Sequence, residues 1–485
     1  MAAIDRRLLL SHSFTLGGKR GRFVIRSIAF PIGVLAAADP RVGLWMLGLV
    51  VVVGVVVAAL YSLRFAWVLY FSAICANGLL IHGPVLMRLE FFALPILGLS
   101  VWAQSRRVSA AGHRRNADII LGITIFAWLL DAFVTSALNA PESARSLWMA
   151  CQLGFGVIAA MTASRVQLSA SYMFNSSTCI LGVLSMFGIA AYGIRIGFGV
   201  DTLLVTQTDI TTASNPDNQV RLVGLAFEAN IMGSLAVGWL GALYYQHRIQ
   251  GIPRGFLRLA TGAIMIAAVL SGTRAVWVAI VVMAAMALIS STKRSPALAT
   301  IAGLAITAAV LIGQYFASSG SAGGQTGWIW RATHILDDSG GTGLYRLNIV
   351  RMAMAELGSD RHSLLWGTGI NSFSQFHPVD ATGVSTPYLS SLWVELLYDM
   401  GLFGLTLFIL AALMVFKRVP RLAAAAPMFA GLAICASVTN LIWFAYPWVF
   451  VALLLKMRQF PYDEIKPSRN NAIRSDQFAR SVRQD

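Results

Sequence analysis

Residues 269–282 read VLSGTRAVWVAIVV, an apolar stretch with one charged residue, Arg274, in its middle. A charged side chain is costly at the centre of a bilayer and inexpensive at its boundary. The Ser-Gly-Thr sequence at 271–273 predicts a tight turn that ends one membrane helix and begins the next. This interpretation places Arg274 at a membrane boundary, where it either extends to the interface, pairs with an acid, or binds a ligand.

The composition of the whole chain agrees with a membrane location. Of 485 residues, 57% are hydrophobic and 12% are charged, and the mean hydropathy is +0.69. A soluble globular domain carries about 25% charged residues. We therefore predict an all-α polytopic membrane protein. The net charge of +16 is explained by basic cytoplasmic segments, so it does not predict a nucleic-acid partner.

Apolar runs predict about fourteen transmembrane helices, or twelve if two marginal spans are absent. Most Lys and Arg residues fall on one side when both termini are placed in the cytoplasm. The predicted spans are 23–38, 43–62, 65–85, 89–104, 118–138, 146–163, 173–193, 224–245, 257–273, 275–291, 297–316, 388–416, 422–439 and 441–456. The predicted organisation is a basic cytoplasmic N-terminus (1–22), N-terminal transmembrane helices (23–193), an external loop (194–223), central transmembrane helices (224–316), a large external loop (317–387), C-terminal transmembrane helices (388–456) and a basic cytoplasmic tail (457–485).

The large external loop is predicted to contain an amphipathic helix within GLYRLNIVRMAMAELGSDR at 343–361. A turn at Gly367-Thr368-Gly369 follows it. The two long loops lie on the same side of the membrane, so function is expected there. The apolar positions at helical spacing are Leu344, Leu347, Val350, Met354 and Leu357.

Two arginines at the external membrane boundary indicate an anionic ligand. Arg221 precedes a membrane helix in RLVGLAFEAN, and Arg274 begins another. Guanidinium groups bind phosphate oxygens through paired, charge-assisted hydrogen bonds. A lipid diphosphate presents its charge at this depth. Glu228 lies about two helical turns after Arg221, so a purely structural Arg–Glu pair is the alternative, and Glu228 and Asn230 are also candidate binding residues.

The loop supplies further candidates. Arg346 and Arg351 on its predicted helix would add positive charge, although ordinary solvated charge is the simpler reading of Arg351. Among its histidines, His377 is the candidate general base for a sugar hydroxyl, with His334 and His362 as alternatives. The loop aspartates are further alternatives: Asp337, Asp338, Asp360 and Asp380. We see no metal-binding spacing and no phosphate-binding loop, so neither a metal nor another cofactor is predicted.

Four segments together resemble the O-antigen ligase/polymerase (Wzy-like) superfamily of bacterial polysaccharide assembly. RLVGLAFEAN resembles the pattern that opens a helix after an external loop, and SGTRAVWVAIVV resembles the family's Arg-led helix start. YRLNIVRMAMAEL followed by GTGINSF resembles the loop helix and its Gly-x-Gly turn. YLSSLWVELLYDMGLFGL at 388–405 resembles the helix that follows the large loop.

The resemblance implies a glycosyltransferase that takes a polyprenyl-diphosphate-linked oligosaccharide as donor, with Arg221 and Arg274 on the diphosphate. In ligases of this family a His-Asn pair opens the last of these helices, and its His is the catalytic base. Ser390 and Ser391 stand there in this chain. This departure favours a polymerase, which joins the donor to a sugar hydroxyl of another lipid-linked repeat unit.

Two alternatives stay open at the level of sequence. An O-antigen-type ligase would transfer finished polymer to a lipid or protein acceptor, and a flippase or transporter would only move a lipid-linked sugar. We find no internal repeat of the kind that transporters often show. The expected location is the bacterial inner membrane with the active face periplasmic. The expected partners are the lipid-linked oligosaccharide, membrane lipids and a chain-length regulator or other assembly proteins, without nucleic acid.

Overall fold

The computed structural model describes residues 53–81, 87–105, 116–200, 202–207, 220–250, 255–289, 341–378 and 387–457. These parts of the chain are mostly α-helical. The helices are α1 Leu63–Cys75, α2 Leu89–Ser105, α3 Asn116–Leu138, α4 Ser143–Arg165, α5 Ala170–Phe198, α6 Ala229–Gln250, α7 Phe256–Leu270, α8 Arg274–Ile289, α9 Gly341–Ser359, α10 Arg361–Trp366, α11 Phe373–Phe376, α12 Leu392–Phe416, α13 Leu422–Ala436 and α14 Ala445–Lys456. Two antiparallel strand pairs interrupt them: β1 Leu80–Ile81 with β2 Met87–Arg88, and β3 Val205–Gln207 with β4 Val220–Leu222.

Four helices of the described residues are long and apolar enough to cross a membrane. They are α3, α4, α5 and α12, and α1, α2, α7, α8, α13 and α14 are shorter apolar helices. One face of α3 exposes Ile123, Phe126 and Leu130 at helical spacing, each at least half exposed. Such a stripe suits contact with lipid and not with water. The fold is therefore that of a helical membrane protein. The predicted spans 23–38 and 297–316 lie outside the described residues, so the total of fourteen spans stays a prediction.

The predicted division of 257–291 into two helices is confirmed. Helix α7 ends at Leu270 and α8 begins at Arg274, with Gly272 between them at a φ of 64°. A positive φ of this kind is readily adopted only by glycine. The indole Nε1 of Trp277 donates a hydrogen bond of 3.1 Å to the Val269 carbonyl, which ties the first turn of α8 back to the end of α7.

Two predicted helix boundaries are wrong. The span predicted at 65–85 ends at Cys75, because a turn and the short strand β1 follow. The span predicted from 224 begins at Ala229, because residues 223–228 form turns clamped to the end of α1. In that clamp the Phe227 amide donates to Asn77 Oδ1 at 2.9 Å. Buried hydrogen bonds of this sort stabilise an irregular backbone path that apolar composition alone does not reveal.

Helices α6, α8 and α13 form the part of the bundle that positions the candidate site. Thr273 contacts Asn230 at one end of α6 and α8, and Tyr244 donates to the Ala287 carbonyl at the other end, so these two helices run parallel. Helix α13 runs antiparallel to α6, since Gly241 packs on Met428 and Gly238 packs on Leu432. Small residues allow this close approach of helices.

Candidate functional site

Arg221 lies in β4, where the pairing with β3 places it opposite Thr206. Its Nε donates to the Ser271 carbonyl at 3.0 Å. Its Nη2 donates to Asn230 Oδ1 at 2.7 Å and to Thr273 Oγ1 at 3.0 Å. One partly exposed guanidinium therefore connects β4 to the start of α6 and to the turn between α7 and α8.

Arg274 is the residue directly after Thr273 and the first residue of α8. It is partly exposed, as is Arg221. Two helices begin at this place, α6 at Ala229 and α8 at Arg274, and the amide groups of helix N-termini carry partial positive charge. We call Arg221, Asn230, Thr273 and Arg274 the cationic site, because Arg221 is hydrogen-bonded to residues at the starts of both helices and Arg274 begins the second of them.

The other predicted arginines are separated by the fold. Arg346 on α9 donates to the Val438 carbonyl at 3.0 Å, so the loop helix is docked on the turn that follows α13. Arg351 is five residues further along the same helix and exposed. Five residues rotate an α-helix by more than a third of a turn, so the two arginines lie on different faces. The structure places only Arg346 toward the bundle.

The level of Arg346 follows from the packing of α13. A Cβ at Gly431 would meet Met283 Sδ on α8 and Val237 Cγ1 on α6. Since α13 runs antiparallel to α6 and α8 and ends at Ala436, its end lies beside the first turns of these two helices. Asn440 follows that end and donates from Nδ2 to Glu395 Oε2. The cationic site, Arg346 and Glu395 therefore share one level at one end of the bundle.

The prediction that Glu228 and Arg221 lie on one helix, two turns apart, is wrong. Arg221 is in a strand and the helix begins only at Ala229, after Glu228. The same feature explains why Asn230 reaches Arg221 instead: the turns at 223–228 bring the first turn of α6 back beside β4. Asn230, a candidate binding residue, therefore lies beside Arg221 because of a strand and turns, and not because of helical spacing.

The Gly367-Thr368-Gly369 turn, predicted from the sequence, docks onto a break in α12. Helix α12 is interrupted at Gly401, with a φ of 64° and a ψ of −171°. The Thr368 and Gly369 amides donate to the carbonyls of Tyr398 and Asp399, at 3.0 and 2.9 Å. A Cβ at Gly367 would lie 2.3 Å from the Asp399 carbonyl oxygen. The Gly367-Thr368-Gly369 turn and the break at Gly401 therefore contact each other backbone to backbone, and this contact fixes the loop on the bundle.

A cavity of about 320 Å³ lies beside this turn. At its wall Tyr398 donates from its hydroxyl to Glu356 Oε2 at 2.6 Å, and His377 Nε2 lies 2.7 Å from Glu356 Oε1. We call this the Glu356 cavity; its lining residues are Glu356, Leu357, Ser363, Thr368, Phe376, His377 and Tyr398.

The Glu356 cavity and the contact of Arg346 with Val438 lie at different points along the loop helix. Glu356 and Arg346 are ten residues apart on α9, which corresponds to about 15 Å along the helix axis. The predicted apolar stripe of this helix is correct at Leu357 and wrong at Met354, which is 43% exposed. The buried face is Ile349, Ala353 and Leu357, shifted by the docking of Arg346 at one end and Glu356 at the other.

Sequence reasoning missed three acidic residues. Glu356 and Glu395 occur inside motifs whose glycines and arginines drew attention first. Glu90 forms an ion pair of 3.2 Å with Arg88, and both side chains are less than a tenth exposed. An Arg-x-Glu sequence at the start of an apolar helix was the available signal for that pair. Because it is enclosed, we assign Arg88 and Glu90 to the architecture and not to ligand binding.

Fold and site together define a helical membrane protein with a cationic site at the end of the bundle that carries its loops. Residues 259–409 match the family model Wzy_C, described as O-antigen ligase. This confirms the resemblance to the O-antigen ligase/polymerase superfamily over roughly a third of the chain. The match includes Arg274, Arg346 and Glu395 and does not reach Arg221. No curated protein matches the chain.

The family match gives the function at a coarse level. It indicates a ligase- or polymerase-type enzyme of polysaccharide assembly, with a glycosyltransferase-like activity. It also agrees with the apolar helices in indicating a membrane protein.

Proposed function

We propose that this protein is a polysaccharide polymerase. In this proposal it transfers an oligosaccharide from a polyprenyl-diphosphate donor to a sugar hydroxyl of another lipid-linked repeat unit, on the periplasmic face of a bacterial inner membrane. The observation that carries the proposal is the hydrogen bonding of Arg221 to the turn from which Arg274 starts α8. Two guanidinium groups held at one membrane boundary suit a diphosphate whose lipid tail stays in the bilayer.

The chemistry follows from this placement. The acceptor hydroxyl oxygen attacks the anomeric carbon of the donor, and the bond from that carbon to the diphosphate breaks with its electron pair leaving on the diphosphate. Arg221 and Arg274 stabilise the charge that grows on the leaving group. Because guanidinium groups supply this positive charge, we propose a metal-independent reaction. Asn230 and Thr273 hold Arg221, so they act as positioning residues.

The proton of the acceptor hydroxyl needs a base near the cationic site. His377 is the base suggested by the sequence, but it contacts Glu356, which is about 15 Å along α9 from Arg346. Glu395 is the alternative, since its partner Asn440 follows α13, whose end lies beside the starts of α6 and α8. It also follows Ser391 by one helical turn, near the position where family ligases carry their His. We propose Glu395 as the proton acceptor in place of His377.

The choice of a polymerase over a ligase is supported by Ser390 and Ser391. Both serines are buried at the start of α12, and Ser391 occupies its N-cap position. A serine hydroxyl is a poor base at neutral pH, so the ligase mechanism lacks its usual group at this position. The proposed partners are the lipid-linked oligosaccharide, membrane lipids and a chain-length regulator that sets how many repeats are joined.

The test is the length of the polymer made by variants of the two arginines. We expect Arg274→Ala and Arg221→Ala each to reduce long polymer by about 100-fold or more, since loss of one charge-stabilising donor costs about that much. Single repeat units should accumulate instead. Arg351→Ala is the matched control, because it removes an exposed arginine from the loop helix and should leave polymer length unchanged.

Since Arg221 also connects three elements, its replacement by alanine is compared with Arg221→Lys and Arg274→Lys. Lysine keeps the charge and loses the planar fork, so partial activity is expected with full membrane insertion. Long chains that stay on the carrier lipid would identify a ligase instead. Normal polymer in both alanine variants would overturn the proposal, as would external labelling that places Arg221 and Arg274 in the cytoplasm.

A further inference from the structure

The Glu356 cavity is not used by the proposed reaction. Its volume of about 320 Å³ is at the small end of the range for ligand pockets. Most of its wall comes from the loop segments α9 to α11, and Tyr398 from α12 closes one side. None of the four residues of the cationic site lines this cavity, and Glu356 lies about 15 Å along α9 from Arg346.

The lining combines two kinds of surface. Phe376 and Tyr398 offer aromatic rings, and Leu357 adds an aliphatic side chain. The Ser363 hydroxyl donates to Asp360 Oδ2 and the Thr368 hydroxyl donates to the Tyr398 carbonyl, so both offer acceptor lone pairs to a ligand. Phe376 is 47% exposed, so its ring is accessible to a ligand in the cavity. Apolar rings beside several small hydrogen-bonding groups match a sugar ring, which has C–H faces and a hydroxyl rim.

The charge of the cavity lining favours neutral sugars over acidic ones. Glu356 is the carboxylate of the cavity, and the described residues that line it include no Lys or Arg. A carboxylate accepts hydrogen bonds from sugar hydroxyls and repels an acidic sugar such as a uronate. The contacts of Glu356 with Tyr398 and His377 fix the orientation of its carboxyl group. The cavity is therefore preorganised for hydroxyl donors without net negative charge.

We propose that the Glu356 cavity is a recognition subsite for a neutral sugar residue of the substrate chain, away from the bond being formed. This inference rests on the proposed function for its biological setting, and it adds the substrate class. Binding energy from a remote sugar would position the reacting end at the cationic site. The polymer would then contain at least one neutral sugar in each repeat unit.

The experiment is saturation-transfer NMR on the full-length protein in lipid nanodiscs. The probes are the methyl glycosides of glucose, galactose, mannose and N-acetylglucosamine, with methyl glucuronide as the acidic counterpart. We expect a signal from at least one neutral glycoside and at least a threefold weaker one from the glucuronide. Glu356→Gln and Phe376→Ala should each reduce the neutral signal by at least threefold. Phe376→Ala changes an exposed ring, so it tests the site even if Glu356→Gln fails to fold.

Two control variants separate this inference from the proposed function. His362→Ala alters another, exposed loop histidine and should leave the signal unchanged. Arg274→Ala should also leave it unchanged, since the glycosides carry no diphosphate. If Arg274→Ala still makes polymer, the proposed function fails while the glycoside signal continues to decide the subsite. Absence of signal from every neutral glycoside, or a signal that persists in both cavity variants, would overturn the subsite.

Discussion

The cationic site and the Glu356 cavity are built from different elements and from side chains of opposite charge. The cationic site draws its groups from β4 and from the first turns of α6 and α8, which are parts of the packed bundle. The Glu356 cavity draws most of its wall from loop segments that dock on α12. One gathers positive charge, and the other holds a carboxylate among aromatic rings.

This difference separates two tasks. A diphosphate is common to every lipid-linked donor, so its binding groups benefit from a rigid scaffold. The sugar sequence varies between polysaccharides, and loops tolerate changes that a packed bundle does not. We infer that substitutions in α9 to α11 alter which repeat unit is accepted, while substitutions around Arg221 and Arg274 alter whether any transfer occurs.

The largest effect that tests this comparison is expected at Glu395. Glu395→Gln removes the proposed proton acceptor while keeping a hydrogen-bonding group beside Asn440. We expect the transfer rate to fall by about 100-fold, in line with the loss of a general base, with little change in the apparent affinity for donor. His377→Ala, in the other region, should lower the rate by less than about tenfold and raise the acceptor concentration needed.

Rates of repeat-unit joining in membranes, measured against donor and acceptor concentration, check this prediction. The reverse pattern, with His377→Ala nearly inactive and Glu395→Gln active, would restore His377 as the base and merge the two regions into one catalytic centre. The distinction between a catalytic region and a sugar-binding region would then be lost, because the cavity would take part in the chemistry.

An intermediate effect is expected at the glycine that attaches the cavity to the bundle. Gly367 has a φ of 81°, and a Cβ there would meet the Asp399 carbonyl oxygen at 2.3 Å. Gly367→Ala should therefore lower stability by about 1–3 kcal/mol from backbone strain alone. Thermal unfolding in detergent measures the loss. Gly358→Ala near the end of α9 is the control, since a Cβ there meets nothing within 4 Å and alanine favours a helix.

Ligand binding by the two glycine variants also shows which of the two regions is affected. Neutral-glycoside binding should weaken in Gly367→Ala, because Thr368 lines the cavity. Binding of inorganic pyrophosphate at the cationic site should persist in the same variant, because Arg221 and Arg274 are held by other elements. Equal loss of both would show that the regions depend on one another.

Much of the fold was predictable because the bilayer imposes simple rules on composition. Apolar runs located most helices, and the cost of burying Arg274 predicted the turn at 271–273 that the structure shows. The end of α1 at Cys75 was not predictable in this way. Residues 76–81 are apolar enough to continue a helix. The turn depends on contacts with a segment far along the chain, in which Asn77 Oδ1 accepts from the Phe227 amide and the Gly78 amide donates to the Leu225 carbonyl.

The sequence predicted which charged residues are candidates for the site, but it did not predict which side chains contact one another. Arginines near a membrane boundary stand out against an apolar background, so the sequence predicts Arg221 and Arg274 as candidates. The strand conformation of Arg221, the contact of Arg346 with Val438 and the approach of Glu356 to His377 all depend on how distant segments meet. A helical spacing rule applied to Glu228 therefore failed where the chain was not helical.

The smallest effect is expected at Asp360, which caps α10 next to the cavity. Hydrogen bonds from the Ser363 hydroxyl and from the His362 and Ser363 amides lower the pKa of Asp360 below its ordinary value of 3.8. Folding therefore favours the ionised carboxylate, and this stabilisation is present above pH 3.8 and disappears as the pH falls through the lowered pKa. Asp360→Ala should speed hydrogen exchange at the amides of His362 and Ser363 by a few-fold near neutral pH.

Asp360→Asn separates charge from capping, since the amide oxygen still accepts these hydrogen bonds. It should exchange almost as slowly as the parent protein, and the small difference between them should vanish once acid protonates Asp360. Because Ser363 lines the cavity, Asp360→Ala should slightly weaken glycoside binding and leave pyrophosphate binding intact. A loss of pyrophosphate binding in this variant would mean that the loop cap supports the cationic site as well, which would remove the distinction between a rigid anion site and an adaptable sugar site.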